Sequence, residues 1–498
     1  MDLKISPTKE VFENLAQTYN LIPVYTEVPC DLDTPISLFY KLGEGKRYAF
    51  LLESLEGGEK WARYSFIGID PYLVFKSKGQ QVWLFERQNE GLILKDNFFS
   101  ANPFNELRKL IKGVDCALVD GLPRFFGGAV GFIGYETVRF FEKIPVGEEI
   151  LGFSDLHFMF PEVVLVYDRF KHALKIVYNV RIDQKETVSK IYQEAVAKVC
   201  EIKDLIFFSK IVYQPFEITS IASPQPEITK EKFCSMVERA KKYIEEGDII
   251  QVVLSQRFSF KSKVPPFLFY RALRKVNPSP YLFFLKLDDE VLIGSSPEIL
   301  VRMEGSLVET RPIAGTRKRG KTEQEDKELE KDLKGDKKEL AEHIMLVDLG
   351  RNDLGRICKY GTVEVYELMV VERYSHVMHL VSGVKGEVIP GLDMFDVFAA
   401  TFPAGTVSGA PKIRAMEIIA EIEKKERGPY AGAVGYFGFS GNMDFCITIR
   451  TIFQKGEVCY LQAGAGIVAD SDPEKEYEET LNKAKAMFKA IEILRELV

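Results

Sequence analysis

Hydrophobic and polar positions alternate along much of the first 200 residues, a pattern that predicts paired β-strands. Leu73–Lys76 and Gln81–Phe85 flank the polar turn SKGQ, which predicts one antiparallel hairpin. Val163–Tyr167 and Leu174–Val180 flank DRFKH and predict a second hairpin. Apolar residues at helical spacing over Glu186–Ile202 predict a helix that closes this half of the chain.

The second half carries helices and strands in separate blocks. Phe233, Val237 and Ala240 share one face of a helix for which Thr229 is the predicted N-cap. Strands are predicted at Ile249–Leu254, Tyr281–Leu287 and Val291–Ile293, a hairpin over Ile299–Thr310, and helices at Lys337–Asp348, Pro411–Lys425 and Pro473–Leu497. Because the blocks do not alternate strictly, we expect an α+β architecture with antiparallel sheets.

Length and composition set the broad class of protein. The chain has 498 residues and a formal net charge of −7, and this mild acidity argues against a binder of duplex nucleic acid. The sequence has no apolar run long enough for a membrane span and no signal peptide at its start. Seven scattered cysteines without a CxxC pair fit a reducing compartment. We therefore expect a cytoplasmic enzyme that binds neither nucleic acid nor membrane.

The stretch 221–230, IASPQPEITK, contains two prolines and no apolar period, which is typical of a linker. The predicted organisation is an N-terminal domain at 1–220 and a second domain at 229–498. Each is long enough to bury a core of its own.

One segment matches a nucleotide-binding pattern without its structural context. Residues 315–322, GTRKRGKT, fit the phosphate-binding loop, and Ile344–Asp348 imitates a strand that ends in aspartate. Such a loop needs a helix packed on the sheet after it. The residues that follow, EQEDKELEKDLKGDKK, are almost wholly charged, with no apolar face to pack, and Ile344–Asp348 has helical spacing. A solvated basic loop is a better interpretation, and a basic loop that closes over an anionic substrate is better still.

Two pairs of glutamates could present oxygen ligands to a hard cation. Glu339 and Glu342 are three residues apart on one predicted helix, and Glu476 and Glu479 on another, so each pair shares a helix face. Such pairs suit Mg²⁺, although an ordinary helix surface has the same spacing.

Histidines and glycines add two further hypotheses. His376 and His379 have no third metal ligand nearby, so one catalytic histidine or a structural one is favoured over zinc. Glycine-dense runs at 401–412, 430–442 and 462–476 let backbone N–H groups approach an anion closely. With Arg450 at the end of FCITIR, they suggest an anion site at strand ends.

These runs belong to long motifs that occur in fixed order between residues 229 and 490. They are SSPEIL, RPIAGTRKRG, ELAEHIMLVDLGRNDLGRI, YSHVMHLVSGVKG, TFPAGTVSGAPKIRAMEII, GPYAGAVGYFG, CITIRT and QAGAGIVADSDPEKEYEET. Together they resemble the chorismate-utilising enzymes, most closely the component I chains of anthranilate synthases. The resemblance implies two large antiparallel β-sheets packed face to face, with helices outside and the site between the sheets. It also implies a Mg²⁺-dependent carbon–oxygen lyase that makes anthranilate and pyruvate from chorismate and ammonia, for tryptophan biosynthesis.

The resemblance implies roles for individual residues. Glu298 of SSPE would be the general acid on the departing C4 hydroxyl, and His379 would assist the second step. Chorismate would be bound by Gly315, Thr316, Thr406, Tyr430, Arg450, Gly464, Ala465 and Gly466. Mg²⁺ would be held by Glu342 and Glu479, supported by Glu339 and Glu476.

Two positions discriminate within the family. Isochorismate- and salicylate-forming relatives carry a lysine base where this sequence has Gln251, and aminodeoxychorismate synthases carry a lysine where it has Ala314. With neither lysine, ammonia is the expected nucleophile. No cysteine has the glycine-turn context of a glutaminase, so we expect ammonium or a separate glutamine amidotransferase subunit, in a heterotetramer. Aminodeoxychorismate synthase component I, a nucleotide-binding enzyme and a catalytically silent ligand-sensing protein are the alternatives.

The segments at 51–68 and 277–284 resemble a regulatory tryptophan pocket. An amino-acid ligand needs an acceptor for its ammonium group, a donor for its carboxylate and an apolar slot for its side chain. The residues expected to provide them are Glu53, Ser54, Pro280, Tyr281 and Leu282. The resemblance therefore implies feedback inhibition by tryptophan, although a buried strand end and a simple turn would show the same sequences.

Overall fold

A computed structural model describes residues 3–55, 63–88, 91–182, 187–211, 221, 223–374 and 377–494. Its strands are β1 Ile5–Ser6, β2 Leu21–Pro29, β3 Tyr48–Glu53, β4 Tyr64–Lys78, β5 Gln81–Gln88, β6 Gly91–Phe99, β7 Gly128–Ile133, β8 Leu156–Asp168, β9 Ala173–Arg181, β10 Gln225–Pro226, β11 Gln251–Lys261, β12 Tyr281–Leu287, β13 Glu290–Ser296, β14 Ile299–Glu304, β15 Leu307–Thr310, β16 Ile313–Lys318, β17 Glu364–Arg373, β18 Val377–Glu387, β19 Gly409–Ala410, β20 Ala433–Gly438, β21 Met443–Ile447, β22 Thr451–Lys455 and β23 Val458–Ile467. Its α-helices are α1 Lys9–Leu15, α2 Pro35–Leu42, α3 Pro103–Lys112, α4 Val188–Phe208, α5 Lys230–Glu245, α6 Pro266–Val276, α7 Glu323–Gly335, α8 Lys337–Gly355, α9 Met394–Thr401, α10 Lys412–Glu423 and α11 Pro473–Ile493. Short 3-10 helices lie at Tyr135–Phe140 and Gly405–Val407.

The strands pair antiparallel throughout and form two sheets that share two long strands. The first sheet has the order β1-β2-β9-β8-β4-β3-β12-β13-β22-β23-β11, with β10 and β19 on the outer edge of β11. The second has the order β6-β5-β4-β8-β7-β20-β21-β14-β15-β18-β17, with β16 beside β15 on β18.

The shared strands β4 and β8 pass from one sheet to the other. The first half of β4 pairs with β3, and its second half pairs with β5. The pairing of β4 with β8 changes register after Pro71, which lies opposite Pro161. Since proline donates no ladder hydrogen bond, this is where the strand pair can bend.

Side chains alternate between the two faces of the first sheet. On β12, Phe283 and Leu285 belong to the core shared with the second sheet, whereas Leu282 and Phe284 belong to the core under the helices. Burying one such side chain contributes about 1.5–3 kcal/mol. The shared core therefore holds the two sheets face to face, and α2, α4, α6 and α11 cover the outer face. The predicted fold class is confirmed.

Most elements predicted from the pattern are confirmed. Both N-terminal hairpins form, with Lys78 opposite Gln81 and Asp168 opposite Ala173. Thr229 caps α5, accepting a hydrogen bond from the Lys232 N–H at 3.3 Å. The pattern of Ile344–Asp348 is helical, as expected, because these residues lie within α8.

The prediction that the charged segment after residue 322 has no apolar face to pack was wrong. It forms α7, and Leu333 of this helix is fully buried against Met378 and Leu380 of β18, with Leu329 packed beside it. Two leucines four residues apart are a sufficient apolar face, because the partner surface is itself small.

The predicted linker lies partly outside the described residues, which exclude 212–220 and Ala222. The division into domains at 1–220 and 229–498 stays a prediction. Each sheet takes strands from both halves, because β3 pairs with β12 and β7 pairs with β20. Across the described part of the chain, the helices are too short or too polar to cross a bilayer.

Candidate active site

Glu298 lies buried between the ends of β13 and β14. Its carbonyl accepts a hydrogen bond from the Ile447 N–H at 3.0 Å, and its own N–H donates to Ser296 Oγ at 3.3 Å. The side chain is 6% exposed, and burial raises its pKa to about 8, although Thr406 beside it opposes the shift. A cavity of about 400 Å³ reaches this carboxyl. Glu298 is therefore an accessible acid that stays protonated at neutral pH.

Arg450 brings an unpaired positive charge to the same region. It precedes β22 in a left-handed conformation with φ of +51°, and its carbonyl accepts from the Ser295 N–H at 3.1 Å. Within the described residues, its guanidinium makes no ion pair or hydrogen bond, and burial lowers its pKa. A partly buried arginine without a carboxylate partner is suited to bind an anionic ligand.

His379 lies on β18 opposite Thr316 of β16. Its Nδ1 is 2.9 Å from Thr316 Oγ1 and 3.2 Å from the Gly315 carbonyl oxygen. Because a carbonyl can only accept, Nδ1 carries the proton and Nε2 keeps a lone pair. Burial and the charge of Arg450 lower the pKa of His379 to about 4. His379 is thus a neutral base close to Arg450, whereas His376 lies outside the described residues.

The glycine segment of β23, residues 464–466, leaves space for the side chains of Tyr430 and Gln251. A Cβ at Gly464 would lie 2.7 Å from the Tyr430 hydroxyl, and one at Gly466 would collide with Gln251 Nε2. Ala465, between them, is fully buried and lies opposite Leu254. Only glycine permits these approaches, which explains the spacing G-A-G.

The predicted metal ligands form two separate pairs. Glu342 Oε1 accepts from Gln251 Nε2 at 3.1 Å, and Arg317 Nη1 donates to Glu339 Oε1 at 3.1 Å. Lys483 Nζ lies 2.7 Å from Glu479 Oε1, and Glu476 Oε2 is buried without a hydrogen-bond partner. Nowhere in the described ranges do three acidic, histidine or cysteine side chains lie close enough to hold a metal together.

The donor chemistry of these pairs nevertheless fits Mg²⁺. All four side chains offer hard carboxylate oxygens, and burial raises the pKa of Glu339 and of Glu476, as expected for carboxylates that lack enough partners. The unpartnered Glu476 Oε2 is the kind of atom that a cation would satisfy.

The predicted basic loop at 315–322 is mostly structured and neutralised. Residues up to Lys318 belong to β16, and Arg317 pairs with Asp332, Asp336 and Glu339. A freely solvated loop, the weaker of the two interpretations, is wrong for Arg317 and Arg319, because acidic residues of α7 and α8 pair with them. Closure over an anionic substrate, the preferred interpretation, stays a prediction.

A second cavity, of about 580 Å³, lies between β3, β12 and β20–β21. All five residues predicted for the regulatory pocket line it: Glu53, Ser54, Pro280, Tyr281 and Leu282. The Glu53 carboxylate, however, already accepts from Tyr270 Oη at 2.6 Å, from Arg274 Nε at 3.0 Å and from Arg169 Nη2 at 2.9 Å. Glu53 is therefore not available as the acceptor for a ligand's ammonium group.

The polar end of this cavity was missed from the sequence. Asp444 accepts from Tyr281 Oη at 2.8 Å and from Arg302 Nε at 2.9 Å, and Arg124 Nη2 lies 3.3 Å from the same carboxylate. These residues lie on β12, β14 and β21 and on the segment before β7. Asp444 is thus already paired within the protein, as Glu53 is, whereas Arg124 Nε is buried without a hydrogen-bond partner and offers a donor to a ligand carboxylate.

Comparisons with known proteins agree with this site. The sequence profile of the chorismate binding enzymes matches residues 49–489. Anthranilate synthase component 1 of Acetivibrio thermocellus is 49% identical over 98% of both chains, and that of Aquifex aeolicus is 47% identical over 100% of this chain and 99% of its own. The crystal structure of anthranilate synthase component I from Streptococcus pneumoniae superposes with a TM-score of 0.73 at 39% identity, covering 87% of this chain and 95% of that one.

The fold and the site thus define a chorismate-utilising enzyme, and the chain belongs to the chorismate-binding enzyme family. Within this family it resembles the anthranilate synthase component 1 proteins over nearly its whole length.

Proposed function

We propose that this chain is the large component of an anthranilate synthase, which converts chorismate and ammonia to anthranilate, pyruvate and water. The observation that carries the proposal is a buried, protonated Glu298 just after β13, where the Ser295 N–H bonds the carbonyl of the unpaired Arg450 before β22. An acid and an anion-binding group at neighbouring strand ends match a dianionic substrate whose hydroxyl must leave.

Substrate binding follows from charge. Chorismate has two carboxylates, and Arg450 supplies the cation for one of them. Backbone N–H groups near the glycine segment of β23 are expected to add donors. Glu342 and Glu479, with Glu339 and Glu476, would hold Mg²⁺, which would neutralise the other carboxylate and withdraw charge from the ring when bound.

In the first step ammonia forms a bond to C2, the ring double bonds shift, and the C4–O bond breaks. Glu298 gives its proton to the departing hydroxyl, which leaves as water. The new ammonium group then loses a proton, which can return to Glu298. The product is an aminated intermediate that still carries the enolpyruvyl ether.

In the second step the C2–H proton is removed and the ether C–O bond breaks. We assign the uptake of that proton to Nε2 of His379, an assignment supported by the Gly315 carbonyl, which holds Nδ1–H and leaves the lone pair on Nε2. The enolpyruvyl group leaves, gains a proton on carbon and becomes pyruvate. Aromatisation of the ring to anthranilate drives the step.

The choice of ammonia over water is supported by Gln251. At this position an amide bonded to Glu342 stands where water-activating relatives have a lysine, so no base is present there to deprotonate water. Ala314 likewise provides no amine nucleophile, which argues against the aminodeoxychorismate synthase alternative. Ammonia would come from a separate glutamine amidotransferase subunit, with which we expect a cytoplasmic heterotetramer.

Tryptophan is the proposed occupant of the second cavity. Its indole would lie among Leu52, Phe66 and Phe283, and Arg124 Nε would donate to its carboxylate. The cavity joins β3 to β12 and abuts Cys446, which lies opposite Ile299, next to Glu298. A ligand there is therefore close enough to alter the acid, and a coupling of about 1–3 kcal/mol is typical.

Purified chain with chorismate, ammonium and Mg²⁺ tests the proposal, with products identified by mass and fluorescence. Anthranilate and pyruvate in equal amounts would support it. Turnover to isochorismate or to aminodeoxychorismate would contradict it, as would the absence of any product. Mg²⁺ binding has its own test, because Mg²⁺ should raise the thermal unfolding midpoint of wild type and not that of Glu342→Gln or Glu479→Gln.

A further inference from the structure

Arg427 is the largest fully buried side chain among the described residues and lies just after α10. Its Nε and Nη2 donate to the two oxygens of Glu423 at 2.9 and 2.7 Å. Its Nη1 donates to the Val407 carbonyl and its Nη2 to the Val253 carbonyl, each at 2.7 Å. One guanidinium thus joins α10, the 3-10 turn at 405–407 and β11.

Glu423 extends this connection along β11. Its Oε1 accepts from the Ser255 N–H at 2.8 Å and from Ser255 Oγ at 2.9 Å. The Arg427 guanidinium also lies 5.6 Å from the centre of the Tyr430 ring, within the range of a cation–π contact.

The segments that meet at this pair carry the predicted substrate residues. The Val407 carbonyl directly follows Thr406, which lies beside Glu298. Val253 lies opposite Gly466, and Ser255 lies opposite Gly464. Tyr430, whose hydroxyl fills the space above Gly464, is the ring that Arg427 contacts.

Stability alone does not explain the pair. Taking two charges out of water costs several kcal/mol per ion, and a well-packed apolar pair is often as stable as a buried ion pair. What an apolar pair lacks is the fixed geometry of a planar guanidinium that donates in several directions at once.

We propose that the Arg427–Glu423 pair positions the chorismate-binding segments, setting the distances between Thr406, Tyr430 and the glycine segment of β23. Neither residue is required to touch the substrate. The identity of the substrate rests on the proposed function, whereas the positioning rests on the contacts of the pair itself.

Glu423→Gln tests the proposal because the amide loses the charge and one of the two acceptor oxygens. The chain offers a closely matched control in Glu290→Gln. The Glu290 side chain is buried at least as deeply as that of Glu423, accepts from the Ser154 N–H and Oγ at 2.9 Å each, and pairs with His157 Nδ1 at 2.8 Å. It begins β13, at the opposite end from Ser296, and contacts no predicted substrate residue.

We expect Glu423→Gln to raise the KM for chorismate or lower kcat/KM by about tenfold or more, since small misplacements of binding groups cost up to about 10²-fold. Glu290→Gln should lower the thermal unfolding midpoint to a similar extent while leaving kcat and KM within about twofold. Arg427→Lys keeps the positive charge but loses the planar guanidinium that donates in several directions, so its KM and kcat should resemble those of Glu423→Gln and not those of wild type.

Equal kinetic loss in Glu423→Gln and in the control, or unchanged KM and kcat in Glu423→Gln, would overturn the proposal. If Glu423→Gln does not fold, Ser255→Ala decides the question, because it removes one link to β11 and keeps the charged pair; an unchanged KM there would count against positioning. The product made by wild type reports on the proposed function separately, since the comparison of KM values holds whichever product forms.

Discussion

Burial moves the pKa of Glu298 and that of His379 in opposite directions, and in each case favours the neutral form. The pKa of the carboxyl rises to about 8, and that of the imidazole falls to about 4. At neutral pH the site therefore holds one proton donor and one proton acceptor without using a fixed charge for either. The charge that remains, on Arg450, is left for the substrate.

The first prediction concerns the pH dependence of the acid. Because Glu298 must be protonated to act, kcat should fall as pH rises through about 8. The rate should be measured between about pH 6 and 9 and expressed per concentration of free NH₃, which itself rises with pH. Glu298→Gln should lower kcat by about 10²–10⁴-fold and abolish that fall.

The same shift has a consequence for stability. Between pH 4.5 and about 8 the folded chain holds a proton on Glu298 that the unfolded chain has lost, so the free energy of unfolding should decrease as pH rises through this window. Glu298→Gln should weaken this decrease.

The rate prediction has its own contrary outcome. A wild-type kcat that stays constant above pH 8 would show that Glu298 is not the acid.

The second prediction separates the two chemical steps. His379→Met replaces the base with an apolar side chain of similar bulk, so the aminated, pyruvyl-bearing intermediate should accumulate. Its mass distinguishes it from chorismate and anthranilate in quenched reactions. Thr316→Val removes one contact of His379 but leaves the Gly315 bond; because Thr316 is itself predicted to bind chorismate its KM should rise, but no intermediate should accumulate. Unconsumed chorismate in His379→Met would place His379 earlier in the reaction.

Sequence motifs predict an acid at Glu298 and a base at His379, but they do not show how residues around the second cavity are paired. Asp444 and Arg302 were missed because they lie on separate strands, more than a hundred residues apart, and meet only when β14 pairs with β21. The partners of Glu53 are hidden from the sequence for the same reason, since Tyr270 and Arg274 of α6 reach it only through the fold. Residue types are visible in a sequence, whereas their partners depend on pairing.

At the scale of elements, hydrophobic period predicted strands and capped helices well where each element packs on a large surface. The pattern gave the bounds of β12 correctly, because its residues alternate between two cores. The hydrophobic pattern did not reveal the apolar face of α7, where the buried Leu333 and the partly buried Leu329 contact a small patch of β18. A helix with so narrow an apolar face has a charged composition overall, so its partner strand must be known before it can be recognised.

The third prediction belongs to the strands that enclose the second cavity. Ser54→Arg places a long cationic side chain at the end of β3, beside β12, so it should occupy the proposed tryptophan site. We expect inhibition by tryptophan to be lost, while kcat and KM without tryptophan stay within about twofold. Ser54→Ala, which leaves the space open, is the matched control and should remain inhibited.

Both variants should be assayed over a range of chorismate concentrations, since chorismate is expected to relieve the inhibition. Thermal shift with tryptophan reports binding without turnover. If millimolar tryptophan does not inhibit wild type, the cavity has no regulatory role. If Ser54→Arg is inhibited as strongly as wild type, tryptophan binds at a different site.

For the whole molecule, the two sheets cross the division that the sequence suggests. The central pairings of β3 with β12 and of β7 with β20 join the halves by backbone hydrogen bonds. The motifs could not show this, because a strand's own residues do not specify its neighbour across so long a separation. The proline-containing stretch at 221–230 predicts a domain boundary, whereas the strand pairing shows that residues from both sides of that boundary build the shared core.

The fourth prediction follows from those pairings. Fragments 1–220 and 229–498, expressed alone, should lack a cooperative unfolding transition, because each would expose unpaired edges next to half of the shared core. Expressed together they should associate and recover one transition and activity. Amide exchange of β3 and β7 is the measurement, with the intact chain as reference. Protection of these strands in fragment 1–220 alone would establish an independent domain.

The pairing of β3 with β12 also sets an order of events during synthesis. β3 leaves the ribosome about 230 residues before its partner strand, and at roughly 5–20 residues per second the wait is on the order of 10–50 s. During that time β3 has β4 on one edge but no strand on its other edge, next to Phe50 and Leu51. The nascent chain thus spends nearly half of its translation with an open, apolar sheet edge, and its yield in a cell should depend on chaperones that act at the ribosome more than on the stability of the finished enzyme.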